Sequence, residues 1–324
     1  MRPEATLAKV LIALAICCGV QPTWANSIIV SLDGGDDHTG GVSEFDLNGN
    51  HLRDFNFLPT FDGHNPRWQD VEIGPDDQVY VASRRFNAVY RVDYATGDYE
   101  TLNPSGQGKP GGFLSGPNYM QFRPNGNLLV SNEGFGHGVQ EMENAVGSNW
   151  NSSLFSIADT NRRGVALGPD GKYYVSVLGG TIERYNSDGT HDAAYSISGL
   201  ANFTGDIEFV GDDLLVAQQS ATTIRRFDRE TGAPGTDIPA GGSNLFFAND
   251  LLLLPDGRLL VGNAGPSPDN VAEVLEFDSA TGDYLGVFAS FPAGLPRGLA
   301  LVPEPSTLVL IGIGLLGFLA RRAR

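Results

Sequence analysis

One unit recurs along this chain, five times in full and once in part, and its spacing leaves few folds open. The unit is an alternating apolar run, a tight turn of Pro-Asp-Gly type, and a second run. It reads DVEIGPDDQVYVAS from Asp70, MQFRPNGNLLVSN from Met120, VALGPDGKYYVSV from Val165, IEFVGDDLLVAQ from Ile207 and LLLLPDGRLLVGN from Leu251. A half copy, GLALVPEP from Gly298, has the first run alone. The turn falls at Pro75, Pro124, Pro169, Gly211, Pro255 and Pro303, in steps of 49, 45, 42, 44 and 48 residues. Proline presets φ at the first corner, and Asp, Asn or Gly tolerates the left-handed geometry at the next. Each copy then continues into a second half: VYRVDYATGDYE at 89–100, TIERYNSDGTHDA at 181–193, TIRRFDRETGAPG at 223–235 and VLEFDSATGDYLG at 274–286. There an alternating strand turns through Thr-Gly or Asp-Gly into a fourth strand. The second copy is less regular, with SLFSIADT at 153–160 following a glycine-rich insert at 132–150 that carries Glu133, His137, Glu141, Glu143 and Trp150 and reads as a loop, either a plain solvent loop or one that shapes ligand access. Four short antiparallel strands at a period of about 40–50 residues predict the blades of a β-propeller.

The N-terminus completes the ring. SIIVSLDGG at 27–35 reads as a second strand, and VSEFDLNGNHLRDF at 42–55 as the third and fourth. These residues lack a first strand, and the half copy at 298–303 supplies one. The sequence therefore predicts an all-β, six-bladed propeller closed by N- and C-terminal strands that share one blade. Closure also removes two sheet edges that would otherwise be open to aggregation. A β-helix would need shorter rungs, and a sandwich would not repeat one turn at this period.

Both ends read as addresses. Arg2 and Lys9 precede an apolar run from Val10 to Val20, followed by Thr23-Trp24-Ala25, so residues 1–25 form a signal peptide cut before Asn26. Cys17 and Cys18, the two cysteines, lie inside it, so the exported part has no disulfide and no thiol chemistry. The body is then 26–302. At 303–324 the chain reads Pro303-Glu304-Pro305, then an apolar stretch from Thr307 to Ala320 suited to a C-terminal hydrophobic helix, then Arg321, Arg322 and Arg324. Terminal arginines fit a stop in the inner membrane with its basic end in the cytoplasm. This tail resembles the PEP-CTERM sorting signal of Gram-negative bacteria that make exopolysaccharide. The resemblance implies an exosortase-type membrane protease as partner, cutting near Pro303-Glu304-Pro305, and transient anchoring by the uncleaved tail. The final location would be the cell surface or the medium.

The chain carries 21 basic and 38 acidic residues, a formal charge of −17. Such a surface argues against nucleic acid and unaided binding to anionic membranes. No G-x-S-x-G elbow and no Walker A loop is present. The histidines are scattered: His38, His64 and His191 stand alone, and His137 with Glu141 would align only on a helix that the glycines around it oppose. A transition-metal centre is not expected.

In a propeller the residues leading into each innermost strand line one mouth of the central channel. Counting five and six residues back from each turn gives Gln69/Asp70, Asn118/Tyr119, Arg163/Gly164, Gly205/Asp206, Asn249/Asp250 and Arg297/Gly298. Asp70, Asn118, Tyr119, Arg163, Asp206, Asn249, Asp250 and Arg297 are the binding candidates, because acids, amides and arginines recur at one register. The body also resembles the NHL-repeat and SMP-30/gluconolactonase-like propellers. The lactonase-like enzymes hold one divalent ion with a Glu, two Asn and an Asp. That resemblance implies Asn118, Asp206, Asn249 and Asp250 as ligands for Ca2+ or Mg2+, both of which take oxygen donors. No Glu accompanies them at that register, and Arg163 and Arg297 bring positive charge. The runs Asp33–Asp37 and Asp212-Asp213 offer surface calcium sites or plain solvated turns. Trp68 and Trp150 are candidates to stack on sugars, whereas core packing accounts for Tyr80, Tyr90 and Tyr174. The functional expectation is a monomeric, non-enzymatic binding protein for a glycan, an exopolysaccharide or a surface protein. The alternative is a metal-dependent lactone or ester hydrolase at the channel mouth.

Overall fold

Alternating apolar residues on either side of a tight turn give each repeat strands that are buried on both faces, since every blade is packed between two others. In the computed structural model this produces six four-stranded sheets. The described residues are 26–34, 40–55, 66–102, 114–134, 138–143, 151–154, 162–219, 221–265 and 271–303. One compact unit spans Ile28–Leu301, and a second unit, made of the two chain ends, falls almost wholly outside the described residues. The signal peptide and the hydrophobic helix expected at 307–320 are among those undescribed segments. Among the described residues no helix is long and apolar enough to cross a membrane.

The first strands are β1 (Ser27–Asp33), β2 (Gly41–Asp46) and β3 (His51–Asp54). The next blade is β4 (Trp68–Ile73), β5 (Val79–Ser83), β6 (Ala88–Val92) and β7 (Tyr99–Thr101). It is followed by β8 (Pro117–Phe122), β9 (Leu128–Asn132), β10 (Val139–Glu143) and β11 (Asn151–Leu154). Then come β12 (Arg162–Leu167), β13 (Tyr173–Val177), β14 (Thr181–Tyr185) and β15 (His191–Ile197). The fifth group is β16 (Phe203–Val210), β17 (Asp213–Gln219), β18 (Thr223–Asp228) and β19 (Ile238–Pro239). The last complete blade is β20 (Ala248–Leu253), β21 (Arg258–Asn263), β22 (Ala272–Asp278) and β23 (Tyr284–Phe291), leaving β24 (Leu295–Val302). β24 pairs with β1 in the order β24-β1-β2-β3, so the two ends of the body share a blade as expected.

The irregular copy differs from the sequence expectation. The segment read as a loop contains β10, which pairs with β9 through Gln140↔Val130, and β11 begins at Asn151 rather than at Ser153. Glycine content misled here, because the two residues after the glycines, Val139 and Gln140, are buried between strands. Glu141 lies on this strand, paired with Arg123 at 2.5 Å, so it is not one ridge of a helix. His137 is outside the described residues.

The core sits between blades. Ile28, Val30 and Phe45 of the shared blade pack with Leu254, Leu260 and Phe288 of its neighbour. Tyr80, Val89 and Leu102 pack with Met120, Leu128 and Val130 in the same way. Trp68 is buried edge-on against Tyr90 at 5.5 Å, so its role is packing and not sugar stacking. Tyr80, Tyr90 and Tyr174 are core residues as expected.

Candidate functional site

The inner strands carry a β-bulge at the register singled out in the sequence. The pairing slips between Trp68 and Val71, Pro117 and Met120, Arg162 and Val165, Thr204 and Ile207, and Ala248 and Asp250. A bulge leaves backbone groups unpaired, and each blade presents them beside the next. Carboxylates answer them. Asp70 accepts from Val71 N at 2.8 Å and, across the blade boundary, from Met120 N at 2.6 Å. Asp250 accepts from Leu299 N of the closing strand. Beyond the slip, on the edge of the inner strand, Glu208 accepts from Leu253 N at 3.1 Å and the Gln121 amide oxygen from Leu167 N at 3.1 Å. Serines complete the pattern: Ser176 Oγ accepts from Gly164 N at 2.5 Å and donates to Gly205 O of the next blade at 3.2 Å. Ser31 donates likewise to Gln69 O at 3.2 Å. The close approach needs glycine at Gly298, where a Cβ would come within 2.5 Å of Val71 N and 2.7 Å of the Asp70 Cα.

These acids are crowded. Asp206 and Asp250 are hydrogen-bonded to each other, Glu208 and Asp70 lie close enough to raise Asp206, and Glu72 is raised in turn by Asp70, Asp206 and Glu208. Burial pushes Asp70 up to about 7. Burial first, and then mutual repulsion, holds Asp206, Asp250 and Glu72 well above the usual carboxylate range. Burial raises Glu208 as well. Two facing carboxyls in low dielectric share a proton sooner than both ionise.

One residue earlier on the same strands the chemistry changes. Asn249 Oδ1 accepts from Gln219 Nε2 at 2.7 Å and from an Arg297 N–H at 2.8 Å, and its Nδ2 donates to Pro296 O at 3.2 Å. Gln219 Oε1 accepts from Arg163 at 3.0 Å. Arg163 pairs with Glu133, which also holds Arg84 at 2.5 Å and lies 3.5 Å from Asn118 Nδ2. On the other side Arg297 and Arg67 each stand 3.7 Å from Asp33, which accepts from Gln69 Nε2 at 3.4 Å. The result is a polar girdle across the channel mouth with members from all six blades. Burial lowers the Arg297 guanidinium, and the Asp33 charge opposes that effect. Tyr119 turns inward instead, donating its hydroxyl to Asn249 O.

Aromatic rings border the girdle. Arg163 lies 4.7 Å from the centre of the Phe203 ring, which remains 41% exposed. Arg297 covers Phe247 at 5.8 Å, and its neighbour Phe246 is 42% exposed. Arg84, Ser115, Glu133, Arg163, Leu178 and Phe203 line a cleft of about 350 Å3.

Of the eight sequence candidates, Asn118, Arg163, Asn249 and Arg297 join the girdle, while Asp70, Tyr119, Asp206 and Asp250 sit in the channel wall. Glu133 lies in the insert that the sequence offers as a loop shaping ligand access, whereas Arg84, Gln219 and Phe203 stand at strand ends and in connectors, where the repeat pattern carries no signal. The four candidate ligands do not fit a divalent ion. The Asn249 carbonyl oxygen already faces two N–H donors, the Asn118 amide faces Glu133, two arginines occupy the same mouth, and Asp206 and Asp250 belong to the wall and not to that girdle. Among the described residues no group of three His, Cys, Asp or Glu side chains is arranged to hold a metal. Of the surface runs, Asp213 pairs with Arg226 at 2.6 Å and Asp212 with Arg229 at 3.3 Å. Residues 35–39, Trp150 and His64 lie outside the described residues, and His191 packs against Tyr185 on β15.

The PEP-CTERM protein-sorting motif matches residues 301–324. No curated protein matches the chain. Among solved structures, a Bacteroides caccae protein of unknown function is 16% identical with a TM-score of 0.63, covering 86% of this chain and 98% of its own. A chain of a nidogen/laminin complex is 11% identical with a TM-score of 0.62, covering 86% and 99%. The Pseudomonas aeruginosa periplasmic gluconolactonase PpgL is 13% identical with a TM-score of 0.58, covering 87% and 100%. At these identities the likeness concerns the fold. The chain is a six-bladed β-propeller bearing a PEP-CTERM tail, and that tail implies export, an exosortase-type processing partner and a surface or extracellular destination.

Proposed function

We propose that the protein is a monomeric, non-enzymatic binding module that takes a cell-surface glycan or exopolysaccharide at its channel mouth. In this reading residues 1–25 are removed on export, 26–302 form the binding body, and 303–324 anchor it in the inner membrane until processing. One observation carries the proposal. The half-exposed Phe203 ring and the Phe247 ring lie against Arg163 and Arg297 of a girdle of amides and arginines. Sugars are held by rings that stack on their apolar faces and by planar donors and acceptors that read their hydroxyls. Most of the girdle is amide and guanidinium, groups that serve poorly as nucleophile or base near neutral pH. The second reading, a metal-dependent lactone hydrolase, draws on the likeness to the Pseudomonas enzyme and lacks a fitting donor set here. Pull-down of the secreted protein on immobilised exopolysaccharide, alongside a lactone-hydrolysis assay with added Ca2+, separates them. Retention lost in Phe203→Ala with no hydrolysis above buffer supports binding. Calcium-dependent turnover with no retention overturns it.

A further inference from the structure

The cleft beside Phe203 has an unbalanced charge that narrows what it can take. Arg84 and Arg163 share one carboxylate, Glu133. Asn118 and Gln219, the other side chains bonded to this group, are neutral amides. The cleft thus holds two cations and one anion among the described residues. Its backbone donors are already committed: Ser115 N to Asn132 Oδ1 at 2.9 Å, Gly116 N to Asn87 Oδ1 at 2.7 Å, and Gly134 N to Ser115 O at 2.8 Å. Recognition of a polar ligand therefore falls to the guanidiniums. Arg84 has Glu133 as its partner and a side chain 44% exposed, so an edge of its planar fork is open to a bidentate acceptor. The volume of about 350 Å3 is at the small end for ligand clefts, which suits one or two rings of a chain and not a folded partner.

We propose, building on the glycan-binding reading above, that this cleft selects an acidic sugar, with the carboxylate of a uronate residue pairing with the exposed Arg84, in the positive field of the buried Arg163, while its ring stacks on the open face of Phe203. The ligand carboxylate brings the cleft to neutrality. The rest of the protein is acidic, with a formal charge of −17 over the chain, so an anionic polymer meets repulsion elsewhere on the surface. Screening limits that repulsion to about 8 Å at physiological salt. An acidic polysaccharide is therefore admitted at the mouth and held off the flanks, which orients it.

The test is titration calorimetry of the secreted protein with a trimeric oligouronate and with the same trimer after carboxyl reduction. The uronate should bind about tenfold or more tightly than its reduced form, a gap that narrows as salt rises. Arg84→Gln should lower uronate affinity about tenfold and leave the reduced trimer within about twofold. Phe203→Ala should weaken both. Equal affinity for the two trimers overturns the acidic selectivity and leaves glycan binding standing. An uronate affinity unchanged in Arg84→Gln, in a variant that melts like the parent, overturns the assignment to this cleft. Failure of both trimers and of the native exopolysaccharide to bind overturns the functional reading itself.

Discussion

The wall of the channel and its mouth are built from the same inner strands, one residue apart, and they do opposite things with charge. In the wall, Asp70 and Asp250 spend their oxygens on backbone N–H groups of the next blade. At the mouth, Arg163, Asn249 and Arg297 reach side chains from other blades, Asn118 meets Glu133 of its own blade, and together they frame a surface that keeps an exposed ring. The wall repeats because five of the inner strands carry the same bulge to satisfy. The mouth does not repeat, because each blade contributes a different side chain. Repetition marks structure here, and departure from it marks the candidate site. The aspartates of the Thr-Gly turns sharpen the contrast. Asp93, in the open, is held below the usual range by the Thr96 amide, whereas Asp70 in the wall is pushed up to about 7 by burial.

The comparison breaks most completely if the ring opens. Leu299→Pro removes the N–H that Asp250 accepts and cannot sustain the pairing of β24 with β1. A loss of about 3 kcal/mol or more is expected, seen as failure to elute as a folded monomer on size exclusion. Monomeric elution with an unchanged melting curve would mean that the shared blade is not what holds the ring. Ser176→Ala comes next. It strips the acceptor from Gly164 N and the donor from Gly205 O, both buried, at a cost of about 1–3 kcal/mol in chemical denaturation.

The third prediction concerns pH. The wall acids have native pKa values above their unfolded ones, so the native state binds more protons between the ordinary carboxylate range and about 7, where Asp70 titrates. Stability should therefore fall as pH rises through that window. Asp206→Asn supplies a permanent donor to Asp250 and deletes one charge. The variant should melt a few degrees higher than the parent at pH 8, about 2–4 °C for each kcal/mol of repulsion removed in a domain of this size. The difference should shrink at pH 5. A parent whose melting temperature is flat from pH 5 to 8 would rule out a proton shared in the wall.

The fold was legible because its cause is local. Each Pro-Asp-Gly turn and each alternating run is written in adjacent residues, and the shared blade followed from one missing strand at each end. The wall register was legible as well, but its meaning was not. Asp206 and Asp250 looked like metal ligands, and only three-dimensional closure shows that each is the other's partner. Glu133 stands between the two cases. It follows β9 in the insert that the sequence offers either as a loop shaping ligand access or as a plain solvent loop, and nothing in its sequence neighbours signals that Arg84, from the preceding blade, and Arg163, from the following one, will meet it. The serine pattern was visible at Ser31, Ser131 and Ser176, each in a second strand, yet a serine there reads as ordinary alternation until the next blade's carbonyl is seen above it.

The smallest expected effect on stability is the most informative. Arg84 is 44% exposed and its pair with Glu133 is partly screened, so Arg84→Gln should cost no more than about 1 kcal/mol. Glu133 keeps Arg163 as its counter-charge, which prevents an isolated buried carboxylate. If mouth and wall are separate in function, this variant should melt within about 2–4 °C of the parent while losing its preference for a charged sugar. Ser176→Ala should do the reverse, losing stability and retaining ligand affinity within about twofold at a temperature where it is folded. Measuring both variants by both methods gives a four-way table in which only the crossed pattern fits. Should Ser176→Ala weaken binding as much as Arg84→Gln does, the mouth would be set by the packing of the blades beneath it, and the girdle would be a consequence of the ring and not a site carried upon it.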